Sequence, residues 1–359
     1  MTERELTLLK ALCEANAPSG FEDETVRVAK DAIGDVCDIE EDHLRNLYLY
    51  RRKNTGKKPV LMLDAHSDEV GFMVHSIRPS GTLRVVQLGG WNRATLPGAS
   101  VSVRNREGKW IPGVIAAKPP HFMSAAEKER QGVPEIRDLA VDIGAKSAAE
   151  AAEVFGVRIG EPVVPKTSFE YDAEHGLFFG KAFDCRIGVA ALLEVMRRIA
   201  DEDLSVDVVG ALSVQEEVGE RGCKVTVNRI RPDAALVFEG CPADDTFGEP
   251  YAMQTKLKEG PMIRFMDVSV ISNPRFVRFA LDLAEQNGIP AQAAVREGGG
   301  NDAAIIQSQL FGAPAIVLGV PVRYIHTPAC IAAERDYEAT VELALALIHA
   351  LNESVIQSF

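Results

Sequence analysis

Apolar and polar positions along this chain switch between two spacings. Near the start, Leu6, Leu9, Leu12 and Cys13 fall on one helical face behind Thr2, a residue type that caps helices. Ala17-Pro-Ser-Gly20 breaks that pattern, and a second helix is predicted over 22–33, with Val26, Ala29 and Ile33 inward. Short apolar runs then appear at 60–65, 206–212, 234–238 and 315–318, the second interrupted only by Asp207. Such runs suit strands buried on both faces. Helical spacing returns over 189–200, 274–286 and 337–351. Buried strands alternating with helices predict an α/β domain whose sheet lies between helical layers.

The stretch from about 70 to 160 departs from this. It is rich in Gly, Val, Arg and turn signals, with short alternating runs such as Gly71-Phe-Met-Val-His, Leu83-Arg-Val-Val and Val101-Ser-Val-Arg. Closely spaced short strands predict a small β-barrel. Since the α/β pattern resumes near Val163, the expected division is 1–69 and 163–359 for one domain, with 70–162 inserted into it.

Composition narrows the function without naming it. The 359 residues are 46% apolar and 25% charged, which fits a globular chain with a real core. Acidic residues outnumber basic ones, 52 to 39, for a formal charge of −13, which argues against nucleic-acid or anionic-membrane partners. No apolar run reaches the roughly 20 residues of a membrane helix. The charged start, Met1-Thr-Glu-Arg-Glu, lacks signal-peptide character, so a cytoplasmic location is expected. The six cysteines include no C-x-x-C pair and are expected to be buried free thiols.

Candidate chemistry gathers where strands end. His66 directly follows the 60–65 run, and Asp68 stands two residues on, placed to orient its ring. Glu216 and Glu217 follow the 206–212 run, Glu239 ends the 234–238 run, and His326 comes shortly after 315–318. If the strand continued, Glu216 and Glu217 would face opposite sides. Asp184 begins the helix that carries 189–200, where capping is the plain explanation. Each residue alone has such a bland account: a strand-end His closes a loop, a di-acid is solvated. What counts against it is recurrence, because all four strand runs lead into a His or Glu, an arrangement that stability does not require. The remaining histidines, His43, His75, His121, His175 and His349, lack supporting neighbours.

Taken in order, several motifs make the pattern specific. They include Asp64-Ala-His-Ser-Asp-Glu-Val-Gly-Phe72, Gly89-Gly-Trp91, Phe183-Asp-Cys-Arg186, Val214-Gln-Glu-Glu-Val-Gly219, Gly298-Gly-Gly-Asn-Asp302 and Arg323-Tyr-Ile-His326. Over nearly its whole length the chain resembles the M42 metallopeptidases, the glutamyl- and tetrahedral-aminopeptidase group, some of whose members are labelled endoglucanases. The resemblance implies a zinc-peptidase-like three-layer domain with a mixed sheet, interrupted by a small PDZ-like β-barrel that pairs subunits. It implies two divalent cations, one held by His66, Asp184 and Glu239, the other by Asp184, Glu217 and His326. Asp184 would bridge them, Asp68 would orient His66, and Glu216 would be the general base. Gly299, Gly300 and Asp302 would lie on the substrate side. Glu239 stands where the family often has Asp, and Cys185 and Thr327 also differ from common residues.

The expected activity is removal of N-terminal residues from short peptides. Nitrogen and oxygen ligands suit Zn²⁺, with Co²⁺ or Mn²⁺ as alternatives. The resemblance further implies homo-oligomers built from dimers, up to a dodecamer. Two rival readings stay open: a glucanase, and a metal- or peptide-binding homologue without catalysis. An acidic-residue preference would need a cation in the pocket, for which Arg264, Arg275 and Arg296 are equal candidates.

Overall fold

In a computed structural model, residues 1–125 and 132–359 are described; residues 126–131 of the interposed segment lie outside the described residues. The opening helix, Glu3–Glu14, starts as the sequence predicts. Thr2 accepts the Glu5 N–H, and the Glu5 carboxylate accepts the Thr2 N–H at 2.7 Å, a reciprocal cap. The second helix spans Asp23–Ile33 and buries Val26, Ala29 and Ile33.

Three predicted apolar runs are parts of longer strands, Val60–His66, Ala234–Pro242 and Ala315–Arg323, and the 206–212 run becomes a strand shifted by one residue, Asp207–Ser213. These four lie side by side and parallel, in the order 207, 60, 234, 315. Antiparallel strands flank them, beginning with Leu47–Arg51 beside Asp207–Ser213, and complete an 11-stranded mixed sheet. Strand period two divides the side chains between layers. Leu61, Leu63 and Ala65 join the core on one face, while Met62 joins the core on the other.

On the first face lie the Glu3–Glu14, Phe183–Arg198, Pro274–Gln286 and Glu334–Ala350 helices. Cys223–Ile230 and Ala303–Ser308 cover the second. The sheet is therefore the middle of three layers. In the Phe183–Arg198 helix, 13 of 16 residues are buried, so it reads as apolar nearly all round rather than along one stripe. Asp207 is tolerated in its buried strand because the N–H groups of Thr55 and Gly56 donate to its carboxylate at 2.8 and 2.7 Å.

Between the Val60–His66 strand and the rest of the sheet, six antiparallel strands close a barrel. They run from Gly71–Ile77 to Pro162–Pro165, which pair with each other. The barrel has its own core of Phe72, Val74, Val101, Val141 and Val163. Trp91 stacks on Phe72 with ring centroids 4.9 Å apart, and its indole N–H donates to Gly71 O. All six cysteines are buried and free, as expected. Among the described residues, no helix is long and apolar enough to cross a membrane.

Candidate metal centre

The parallel strands finish level with one another. Ser213 pairs with His66, and Val237 pairs with Asp64, so Glu239 also stands level with His66. Chemistry is thereby delivered to one edge of the sheet by three strands. A fourth contribution, His326, comes from the turn after Ala315–Arg323, where Tyr324 and His326 both have positive φ (62° and 57°).

Asp184 lies at the centre. It sits in a break at the start of the Phe183–Arg198 helix, with ψ 108°, and does not act as a cap. Instead its two carboxylate oxygens reach different histidines: Oδ1 is 2.9 Å from His66 Nε2 and Oδ2 is 3.0 Å from His326 Nε2. Close approach of the neighbouring strand makes this placement workable. A Cβ on Gly240 would stand 2.7 Å from Phe183 O and 2.9 Å from Asp184 Cα.

Two groups of potential ligands share Asp184. In one, His66, Asp184 and Glu239 offer atoms within 4.8 Å of one another; in the other, Asp184, Glu217 and His326 do so. Glu239 Oε2 is 3.7 Å from His66 Nε2, and Glu217 Oε2 is 3.5 Å from His326 Nε2. Cys185 Sγ joins the first group, which the sequence did not suggest. Its thiol donates to Phe238 O at 3.0 Å, and burial pushes its pKa far up, so it is held as a thiol. The other five histidines are exposed.

Glu216 and Glu217 do not stand on a strand. The chain leaves the sheet after Ser213 and turns at Gln215, with φ 56°. Strand alternation therefore does not separate the pair, and both line the same cavity. Asp68 organises this turn by accepting the N–H groups of Glu216 and Glu217 at 3.0 and 3.3 Å. It also accepts from Ser19 Oγ at 2.6 Å and lies 3.4 Å from His66 Nδ1. One buried carboxylate thus orients the imidazole and the di-acid turn together.

The electrostatics favour cations. Five acids, Asp184, Glu216, Glu217, Glu220 and Glu239, share a cavity of about 410 Å³ with two histidines and two arginines. Burial raises Glu239 to about 8, with Asp184 adding to the effect and His66 opposing it. Burial also holds Glu216 well above the usual carboxylate range, reinforced by its acidic neighbours. For His326, burial works the other way but is outweighed by Glu217 and Asp184, which push the imidazole up to about 11. The same contacts pull Asp184 down despite its burial. Glu217 Oε1 is buried without a hydrogen-bond partner. An excess of inward carboxylates with an orphaned oxygen fits a divalent cation at each group.

Residues 46–343 match the family model for M42 glutamyl aminopeptidase. The glutamyl aminopeptidase of Lactococcus lactis subsp. cremoris is 36% identical over 345 residues, 96% of each chain. The chain belongs to the M42 peptidase family. Among solved structures, a TET aminopeptidase from a marine-sediment Thaumarchaeota archaeon superposes with a TM-score of 0.94 at 36% identity, over 99% of each chain. The Pyrococcus horikoshii TET1 peptidase, which can assemble into a tetrahedron or a large octahedral shell, gives 0.86 at 31% identity, covering 97% of this chain and 100% of its own. Membership in this metallopeptidase family implies divalent cations.

In this M42 chain the glycine-rich segment divides. Gly299 and Gly300 line the cavity, whereas Asp302 is 1% exposed and lies behind it with Asp64 and Cys223. The Asp302 carboxyl packs against Asp64 and Cys223, and burial next to Asp64 pushes its pKa far up. Asp302 is therefore an interior acid and not part of the cavity lining. Of the three arginines, Arg264 and Arg296 line the cavity, while Arg275 donates to Phe359 O elsewhere. Both cavity arginines already have acidic partners, Asp267 and Asp244, each at 2.7 Å.

Sequence reasoning missed a buried support under Asp184. Lys181 donates to both Glu69 oxygens at 2.8 and 2.9 Å. Arg186, fully buried, donates to Leu12 O at 2.7 Å and Ala17 O at 3.0 Å. The signal was there in part: two cations flanking Asp184 in an otherwise apolar stretch need buried acceptors.

Proposed function

We propose that this protein is a two-cation aminopeptidase that removes N-terminal residues from short peptides. The observation that carries this reading is Asp184, whose two oxygens address His66 and His326 separately and so join two ligand groups at one carboxylate. His66, Asp184 and Glu239 would hold one divalent cation, and Asp184, Glu217 and His326 the other. Zn²⁺ suits these nitrogen and oxygen donors best, with Co²⁺ or Mn²⁺ acceptable. When bound, the cations would lower the pKa of a shared water and stabilise charge developing on the scissile carbonyl oxygen.

The chain's own residues supply the rest. Glu216 lines the cavity beside both groups, with Oε2 3.9 Å from His66 Nε2, and its raised pKa suits a group that takes a proton and returns it to the leaving amine. Asp68 fixes the Glu216 turn and the His66 ring. Gly299 and Gly300 form a wall without side chains near the bound residue.

Glu216→Gln is the direct test. It should keep both cations by elemental analysis and lose about 10²–10⁴ in kcat on an aminoacyl-nitroanilide, the range for a general base. Near-normal turnover would remove Glu216 from the role. Chelation should also abolish activity, whereas chelator-resistant cleavage of glucan would favour a carboxylate-pair glycosidase.

We also take 1–69 and 163–359 as the catalytic domain and 70–162 as the insert that pairs subunits. By likeness to a solved TET1 peptidase dodecamer, dimers would assemble further, up to a dodecamer. Light scattering with metal present should give that mass; a monomer or stable dimer would count against the assembly.

A further inference from the structure

A second recess, of about 680 Å³, adjoins the metal cavity and shares Pro242 and Ile325 with it. One wall comes from the barrel, including Pro97 and Ala99; the other comes from Ala243, Phe247, Tyr324 and Ala329 beyond the ends of two sheet strands. The contrast in lining is sharp. The metal cavity contains two histidines, Asp184, four glutamates and two arginines, whereas among the described residues no Asp, Glu, Lys, Arg or His lines the recess. Phe247 and Tyr324 nevertheless expose 73% and 45% of their surface. The backbone around the recess is largely self-satisfied. Asn92 N–H donates to His326 O at 3.0 Å, Ala243 N–H to Val322 O at 2.9 Å, and Thr327 Oγ1 lies 2.7 Å from Tyr324 O. The recess thus offers apolar surface rather than free hydrogen-bonding groups.

We propose that the recess is the leaving-side subsite, and that it takes an apolar or aromatic side chain from the second residue of the peptide. This rests on the aminopeptidase reading above. Such an enzyme needs a bounded cavity for the one residue it removes, and the remaining chain must extend outward from the scissile bond. Ile325 immediately precedes the ligand candidate His326 and lines both spaces, so a peptide bond cleaved beside His326 would place the next side chain at the mouth of the recess. A competing exit also touches the metal cavity through Gly90, but it carries Arg84 and Arg137 beside an Arg93–Glu135 ion pair, a net positive lining that would favour an acidic residue instead.

The test uses the assembled, metal-loaded protein and dipeptides with one fixed N-terminal residue and Phe, Leu, Gly or Asp second. The subsite predicts kcat/KM for Phe or Leu about tenfold or more above Gly, a usual span for filling an apolar pocket. Phe247→Ala should shrink that ratio, and Ala329→Asp should bring it near one. Both positions are exposed, so folding is not at stake, and circular dichroism would verify it. No second-residue preference, or a preference for Asp, would overturn the assignment while leaving the aminopeptidase reading intact. Failure to cleave any of the dipeptides would instead strike that reading. If the variants split the assembly by light scattering and left the Phe/Gly ratio unchanged, the recess would be a contact between copies of the chain, and the subsite would fall.

Discussion

The two halves of the candidate centre are built from similar residues but differ in depth. In the His66 half, the imidazole is 1% exposed and the Glu239 side chain 6%, and Asp68 packs behind the ring. In the other half, the Glu217 side chain is buried at 4%, but the His326 side chain is 34% exposed and stands on a turn beyond the sheet. The inner half is part of the core's edge. The outer half is the more exposed side of the cavity, next to Ile325, which also lines the recess. A shared carboxylate therefore joins a rigid position to a more accessible one, and the two should respond differently to the same perturbation.

The largest expected difference is in stability. His66→Ala removes the buried imidazole that faces Asp184 and Glu239, so apoprotein stability should fall by about 3 kcal/mol, the low end for breaking buried charge pairs. His326→Ala, at a partly solvated position, should cost about 1 kcal/mol or less. Urea unfolding of the two apoproteins would measure both. Equal losses would erase the distinction between the halves.

A smaller effect should appear in the pH dependence of metal uptake. With His326 pushed up to about 11, its side chain in the apoprotein is an imidazolium at neutral pH. A folded-state pKa above the unfolded value of about 6.5 contributes stability that is complete below that value and is lost as pH rises through about 11. Cation binding requires neutral imidazole and has the opposite slope, up to about tenfold tighter per pH unit for each proton released. Calorimetry in buffers of different ionisation enthalpy should detect at least one released proton. Binding independent of pH from 6 to 8 would contradict the ion network.

The smallest change should come from Glu239→Asp, which keeps the carboxylate on a side chain one methylene shorter. Competition with a chromogenic chelator should show less than about tenfold change at the inner position and none at the outer. An equal shift at both would mean that the halves are coupled more tightly than their geometry implies.

Much of this layout was legible because buried parallel strands need uninterrupted apolar runs, and those runs located four strands of the sheet. Their ends were not legible. Ala234–Pro242 continues past its apolar stretch because Glu239 to Pro242 keep pairing with Gly319 to Val322, a long-range bond that hydropathy does not record. By position alone Asp184 reads as a helix cap, and only its expected neighbours argue for a ligand; in the structure it faces His66 and His326. Asp302 is expected beside Gly299 and Gly300, yet at the start of the Ala303–Ser308 helix it lies inward against Asp64, a partner 238 positions away in sequence. Arg186, Lys181 and Glu69 were hidden for a similar reason: charge suggests solvent until the partner is known. The apolar recess joins three distant stretches, and no local pattern marks it.

The bond from Asn92 N–H to His326 O has a consequence for sequence variation. It ties the barrel to the turn that presents an outer ligand, yet it uses only main-chain atoms. Nearly any residue at position 92 can supply that N–H, although the present Asn also caps the Arg93–Thr95 turn through its Oδ1. Proline alone lacks the donor. This bond between the two parts of the molecule is thus indifferent to most side chains at position 92 and vulnerable to one substitution.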